Sequence, residues 1–498
     1  MERKEKQTYP RPQKEMLRIL KTAEKEGHLP ETVMEEFTGH SFSMPALWQC
    51  REFFYRLDRE EGGMLPALAP HMALLMAMAG NLEEAERYAE SMGKTPERLR
   101  PEDFRESDFL RLATEIVMPY VSDGKFLRII FCLIRAGAVP IRNLTVSACR
   151  PSILNGFRDF TRFGRHLERY KDRITDVIQQ LYGNAGKSVY ETMLAEWHYQ
   201  NNNCFEALVL VTGTIPLIEQ KNDMRCLFVA LALQMRILLV NGQTKMAKPL
   251  VRKIRDRIHE TGWEELTSSL NALECLAACY DGRLEEVEEW LEKTAPDENR
   301  DIYMMDTYAY MIKVRCYLQM GKYLLAHVLV QQLITLLAPG RRHMDLCQCY
   351  MLSAIVCHKA KDKERMCREL EKALELARKY HYIRLLADEG SCIVQMLSVY
   401  VSEKGADSFT DKVMELAAEV GRHFPDYLKS PAEHFEPLTE TEEAVLRLIA
   451  QGLSNDEIAD RLGKKTGTVK FHCNNIFRKL QVQNRQQAAL RGRENGLL

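Results

Sequence analysis

Residues 438–498 read LTETEEAVLRLIAQGLSNDEIADRLGKKTGTVKFHCNNIFRKLQVQNRQQAALRGRENGLL. Three helix starts are legible in this stretch. Thr439 is followed three residues on by Glu442, Ser454 by Glu457, and Asn484 by Gln487. In the first two, a hydroxyl caps the third helical N–H while a carboxylate reaches back to the cap N–H. Apolar residues follow at helical spacing: Val445, Leu446, Leu448 and Ile449; Ile458, Ala459 and Leu462; Val469, Cys473, Ile476, Phe477 and Leu480; Ala488, Ala489 and Leu490. The stretch is expected to form four short helices, the third starting near Thr466 to Thr468.

Only Gly463, Lys464, Lys465, Thr466 and Gly467 separate Leu462 from Thr468. A short glycine-containing turn between two amphipathic helices is the helix-turn-helix pattern, whose second helix enters the DNA major groove. Charge agrees. Arg461, Lys464, Lys465, Lys470, Arg478, Lys479, Arg485, Arg491 and Arg493 are basic, and no Asp or Glu lies among them. The acids Glu440, Glu442, Glu443, Asp456, Glu457 and Asp460 sit in the first half. The whole chain holds 69 Lys plus Arg against 70 Asp plus Glu, so the positive charge that phosphate binding requires is local to this half-domain.

On these residues the stretch resembles the LuxR-type DNA-binding domain, a four-helix module of bacterial transcription regulators. The resemblance runs through Thr439, Glu442, Val445, Leu446, Gly452, Ser454, Glu457, Ile458, Ala459, Leu462, Thr468, Val469, Lys470, His472, Ile476, Lys479, Leu480, Val482, Arg485 and Ala488. It departs at Thr441, where the family has Arg, and at Lys464 and Lys465, where the family has an apolar residue and a capping Ser. Thr466 is expected to take over as the cap.

The resemblance implies that Lys470, Phe471, Asn474 and Asn475 face the groove. Lys470 suits a guanine, Asn474 or Asn475 an adenine, and Phe471 a thymine methyl. Lys464, Lys465, Thr468, Lys479 and Arg485 are candidates for phosphate contacts, which position without specifying. His472 is carried over with two readings open, a phosphate contact or packing. The last helix, Arg485 to Asn495, carries the dimer contact in relatives, so a homodimer on an inverted repeat of double-stranded DNA is expected.

Working outward, 498 residues call for two to four domains. The middle is periodic. A turn residue followed five positions later by a small or apolar one occurs at Asn202 and Ala207, Gly242 and Ala247, Gly282 and Val287, Gly321 and Ala326, and Lys361 and Met366. The turns are 40, 40, 39 and 40 residues apart, and Gly80 with Ala85 is an upstream copy. A fixed period of this size means stacked helical hairpins, here longer than the 34 residues of standard tetratricopeptide repeats. Residues 373–390, ALELARKYHYIRLLADEG, resemble the last repeat of large MalT-type regulators through Arg384, Asp388, Glu389 and Gly390. Residues 151–160, PSILNGFRDF, resemble a segment near the start of the same repeat domain, so the likeness spans roughly 65–400. It implies a superhelical domain that receives an inducer or partner. Those regulators begin with a large ATPase module, for which this sequence leaves no room.

The expected organisation is all-α: an N-terminal helical segment over 1–60, a TPR-like helical-hairpin solenoid over 61–423, a linker over 424–437 punctuated by Pro425, Pro431 and Pro437, and the four-helix domain over 438–498. Helices are expected over Glu15–Glu26, Leu68–Ala79, Asp103–Val121, Lys125–Arg135 and Phe409–Val420.

Enzymatic chemistry is not expected. Gly183-Asn184-Ala185-Gly186-Lys187-Ser188 imitates a phosphate loop but has two residues, not four, before Gly-Lys, and helical sequence where a strand is needed. No His-Glu-x-x-His or nucleophile elbow occurs. His198 and His358 beside repeat turns read as ordinary helical histidines. Asp388 and Glu389 read as a solvated or capping pair. A receiver domain would need alternating strands. The 14 Cys lack paired spacing, Cys132, Cys275, Cys279 and Cys316 lie on apolar helix faces, and Cys347 and Cys349 lack companions for zinc. They read as buried reduced thiols of a cytoplasmic protein, with no cofactor and no metal. No membrane span is expected, the longest apolar run, Leu227–Val240, containing Gln234 and Arg236. The function expected is sequence-specific transcription regulation under control of a small-molecule or protein effector on the repeats. The alternative, motivated by Lys464 and Lys465, is a helical-repeat interaction scaffold with a degenerate or protein-binding C-terminal domain.

Overall fold

The structure, a computed structural model, describes residues 13–30, 32–33, 36, 44–60, 68–92, 112, 114–119, 121–135, 150–182, 186–221, 223–299, 302–429, 438–480, 482 and 484–494. The Pro10–Pro12 segment, most of the helix expected over 103–121, residues 183–185 of the imitation phosphate loop and 431–437 of the linker lie outside them. The fold is all-α. Among the described residues there is no strand, only an isolated antiparallel bridge between Asn155 and Asp159. The chain divides after Tyr427 into two compact units.

The first unit begins with α1 (Gln13–Glu26), α2 (Met44–Gln49), α3 (Arg51–Glu60), α4 (Ala69–Met78), α5 (Leu82–Ser91) and α6 (Asp123–Arg135). These share one core. Met16, Leu20, Leu47, Phe54, Leu75, Ile129, Phe157, Met304 and Met305 belong to a single buried cluster, so packing runs straight across the expected boundary at 60. Then come α7 (Lys171–Tyr182), α8 (Gly186–Gln200), α9 (Cys204–Lys221), α10 (Met224–Val240), α11 (Thr244–Thr261), α12 (Thr267–Tyr280), α13 (Leu284–Lys293), α14 (Thr307–Gln319), α15 (Tyr323–Leu337), α16 (His343–Lys359), α17 (Lys363–Tyr380), α18 (Ile383–Ala387), α19 (Ser391–Lys404) and α20 (Ser408–His423).

The repeat is a backbone device. Asn202, Gly242, Gly282, Gly321 and Lys361 all have φ between 61° and 73°, and Gly80 has 81°. Each is the left-handed residue that ends one helix. The next N–H returns to a carbonyl five residues back: Asn203 to His198, Gln243 to Leu238, Arg283 to Ala278, Lys322 to Tyr317, Asp362 to Cys357 and Asn81 to Met76. These bonds satisfy carbonyls that a helix end would otherwise leave open. The partner five residues after each turn is buried: Ala207, Ala247, Val287, Ala326, Met366 and Ala85. Small size at most of these positions lets the two helices of a hairpin approach.

The hairpins converge on two acids. Asp388 and Glu389 follow α18 and are each 2% exposed. Asp388 does end α18 as its C-cap residue, but neither acid is solvated, which corrects that part of the sequence reading: cations and hydroxyls from distant repeats take the place of water. Tyr199 of α8 donates to Asp388 Oδ2 at 2.5 Å, Arg236 of α10 reaches the same oxygen at 3.1 Å, and Tyr280 of α12 donates to the Asp388 carbonyl at 2.6 Å. Arg384 pairs with Asp388 Oδ1 at 2.7 Å. Arg315 of α14 binds Glu389 through Nε and Nη2.

A second clip joins residues far apart in sequence. Arg150 grips Asp345 with two bonds of 2.8 and 2.7 Å, Asn155 donates to it at 2.6 Å and Arg342 at 2.7 Å. Burial alone would raise the Asp345 carboxyl, but the two guanidinium groups hold it well below the usual carboxylate range. Arg158 donates to the carbonyls of Met118 and Val121, both at 2.8 Å.

Residues 424–427, expected to open the linker, are part of the packed unit. Phe424 and Tyr427 are buried, and Tyr427 stacks on Tyr280 with ring centroids 4.1 Å apart. The aromatic pair outweighs the break introduced by Pro425. Hydropathy also singles out a different helix from Leu227–Val240. Tyr323–Gly340 has a mean hydropathy of 1.4 and is, by length and composition, able to cross a membrane. Here α15 is a repeat helix burying Ala326, Leu329, Val330, Leu333 and Leu337. A helix, α7, precedes residues 183–185, where a phosphate loop needs a strand.

Candidate nucleic-acid interface

The second unit holds α21 (Glu440–Ala450), α22 (Asn455–Leu462), α23 (Thr466–Lys479) and α24 (Arg485–Glu494). Both capping boxes form. Glu442 N–H donates to Thr439 Oγ1 at 3.3 Å and Thr439 N–H to Glu442 Oε2 at 2.9 Å; Ser454 and Glu457 repeat this at 3.3 and 2.7 Å. Gln487 N–H donates to Asn484 Oδ1 at 2.9 Å at the start of α24. Val445, Leu446, Ile449, Ile458, Ala459, Val469, Cys473, Ile476, Leu480 and Ala488 form the core. Val469, Cys473, Ile476 and Leu480 are the inward stripe of α23, so its opposite face is available to a partner.

The turn between α22 and α23 is made by Gly463 at φ 61°, with Lys464 N–H returning to Ala459 at 2.9 Å. The cap of α23 is Lys465, whose extended backbone carries no side-chain capping bond. Thr466 is the first helical residue rather than the cap. Its hydroxyl donates to Asp456 Oδ1 of α22 at 2.8 Å, which fixes the entry of α23 from the side. The family's capping serine is thus replaced by a tether between helices. A Cβ on Gly467 would meet nothing within 4 Å, so the positive end of the helix dipole lies open beside Lys464 and Lys465.

Along α23, Gly467, Phe471, Asn474 and Arg478 are exposed at spacings of four, three and four, with Thr468 and Lys470 beside them. Phe471 is 61% exposed and takes no part in the core. Its ring meets His472 edge-on at 5.9 Å, and His472 and Asn475 are half-buried at the margin. Arg478 was not among the residues expected from sequence. Its place four positions after Asn474 is the signal that would have found it.

Two expected phosphate contacts are engaged inside the domain. Lys479 is 12% exposed and its Nζ lies 2.7 Å from Glu442 Oε2, tying α23 to α21. Burial alone would raise the Glu442 carboxyl, but Lys479 and the Thr439 bonds hold it below its ordinary value. Arg485 donates to the carbonyl of Leu453, tying α24 to the turn before α22. The structure therefore brings Lys464, Lys465, Thr468, Lys470, Phe471 and Asn474 together on one exposed surface and gives Lys479 and Arg485 structural duties.

Residues 436–491 match the family described as bacterial regulatory proteins, luxR family. The chain carries a luxR-family domain. Ahead of this luxR-family domain, residues 178–403 match the MalT-like TPR region, a narrower span than 65–400 that leaves the 151–160 segment outside the match. The chain is also similar to the response regulator protein VraR of Staphylococcus saprophyticus, 43% identical over 81 residues, or 16% of this chain and 39% of that protein. VraR of Staphylococcus aureus is 45% identical over 71 residues, 14% of this chain and 34% of that protein. The chain thus spans little more than a third of the length of these relatives.

Proposed function

We propose that the protein is a sequence-specific, double-stranded-DNA-binding transcription regulator, cytoplasmic and without enzymatic activity, whose helical repeats receive an effector or partner and control the luxR-family domain. The observation that carries this reading is the outer stripe of α23. An aromatic residue, a lysine and an amide lie exposed together, on a helix free of acids whose N-terminal end is open and flanked by two lysines. That combination offers base-edge groups and an electrostatic foothold on one rigid helix. Lys470 is the reader of guanine, Asn474 and Asn475 of adenine, and Phe471 of a thymine methyl. Lys464, Lys465 and Thr468 hold phosphates. His472 and Lys479 support the helix, and Arg485 ties α24 to the turn before α22. A homodimer on an inverted repeat matches the single recognition helix per chain.

The test is selection of random duplexes by the full-length chain, followed by binding of the enriched site in the unaltered and Lys470→Ala proteins. Enrichment of a short inverted repeat, lost in Lys470→Ala, is expected. Absence of any enriched sequence, with no salt-dependent affinity for duplex, overturns the reading and leaves the scaffold alternative.

A further inference from the structure

Cys275 and Cys279 lie one turn apart on α12, and Cys316 lies on α14, one repeat later. The Sγ of Cys316 is 3.4 Å from that of Cys275 and 3.8 Å from that of Cys279. All three sulfurs lie within 4.8 Å of one another, and all three residues are buried. Among the described residues no fourth His, Cys, Asp or Glu ligand atom joins the group. We propose that these cysteines form a three-thiolate site for a soft trivalent ion that arrives as its neutral hydroxide, the class to which arsenite belongs.

Geometry and charge select this class. Ion–sulfur bonds of about 2.3 Å with angles between right-angled and tetrahedral place sulfurs about 3.3 to 3.8 Å apart. The two separations from Cys316, 3.4 and 3.8 Å, already lie in that range, and the third is within 4.8 Å. A structural zinc site takes four ligands, and three thiolates alone leave it one short. A monovalent soft ion would leave a buried complex with a net negative charge, which is costly away from water. A trivalent ion on three thiolates is neutral. Three S–H groups and three hydroxides on the ion become three ion–sulfur bonds and three waters. The ion keeps its oxidation state, and no electrons move.

There is an approach to the three thiols. A groove of about 660 Å³ between α10, α11, α12 and α13 has Cys275 in its wall, together with Ala278, Arg255 and Trp290. A small neutral solute needs no counter-charge to enter it.

The experiment is titration of the full-length reduced protein with arsenite, read by native mass spectrometry and by arsenic X-ray absorption. The expected result is one arsenic per chain with loss of three protons, and a single shell of three sulfurs without oxygen. Cys275→Ser and Cys316→Ser should each weaken uptake by more than about 100-fold, beyond the ~10- to 100-fold that loss of an outer-shell partner costs. Cys349→Ser, at another buried thiol, should leave uptake unchanged. An arsenic–oxygen shell in the unaltered protein, fewer than three sulfurs, or full uptake by Cys275→Ser overturns the assignment. The absorption measurement needs no variant, so a variant that fails to fold does not shield the proposal.

Discussion

The Tyr427 hydroxyl donates to Glu389 Oε2 across 2.9 Å, on a carboxylate whose two oxygens both accept from Arg315. Tyr427 is the last residue of the first compact unit, and its ring lies on Tyr280. Tyr427→Phe keeps the ring and removes the hydroxyl. A hydrogen bond to a buried charged group contributes about 1.5–3 kcal/mol. The urea midpoint of the repeat domain should fall accordingly with an unchanged slope. Tyr427→Ala should cost more, because the stacking goes too. An unmoved midpoint in Tyr427→Phe would mean that Arg315 alone satisfies Glu389.

Glu196 sets a pH dependence. It accepts N–H bonds from Ile153 at 2.7 Å and Leu154 at 3.4 Å, yet burial dominates and pushes its carboxyl from 4.5 up to about 7. A folded pKa above the unfolded one gives stability that is full below about 4.5 and is lost as pH rises through about 7. The loss is on the order of 3 kcal/mol at one proton per site. Glu196→Gln should flatten stability between pH 5 and 8, as denaturant midpoints across that range would show.

Lys361 holds a left-handed backbone at φ 61° where three sister turns use glycine. A side-chain-bearing residue loses about 1–2 kcal/mol in that conformation, and glycine returns part of the gain through its freer unfolded chain. Lys361→Gly should therefore raise the thermal midpoint slightly. Gly242→Ala should lower it, since φ is 73° and the new Cβ would sit 2.8 Å from the His423 ring.

Lys464 and Lys465 are exposed beside the open end of α23. If each neutralises one phosphate, Lys464→Ala and Lys465→Ala should each flatten the slope of log affinity against log salt by about 0.9, without changing the preferred sequence. Lys470→Ala should instead relax preference at one base position, costing about 1–3 kcal/mol there. Competition binding at three salt concentrations separates the two outcomes.

The helix ends were the most readable part of the chain. Thr439, Ser454 and Asn484 cap because their bonds are local, and local bonds depend only on nearby sequence. The turns at Asn202 and Lys361 were equally readable once set against the 40-residue period, although neither is glycine. The inner acid pair was not. Asp388 and Glu389 look like surface residues in sequence, and nothing near them announces that Tyr199, Arg236, Tyr280 and Arg315 will close over them. The thiol group is hidden for a related reason. Cys275 and Cys316 are 41 residues apart, one repeat, and only the packed repeats bring their sulfurs together. Thr466 was misassigned because its partner, Asp456, lies on the preceding helix.

The clip between Arg150 and Asp345 closes a span of 195 residues, and the bond from Tyr199 to Asp388 closes one of 189. An ordinary stack of hairpins melts inward from its free ends, each block answering only to its neighbours. Here blocks far apart in the stack are fastened to each other, so the repeats between them should not open one by one. They should lose structure together, and a disturbance at any one of them becomes a property of the whole clipped span.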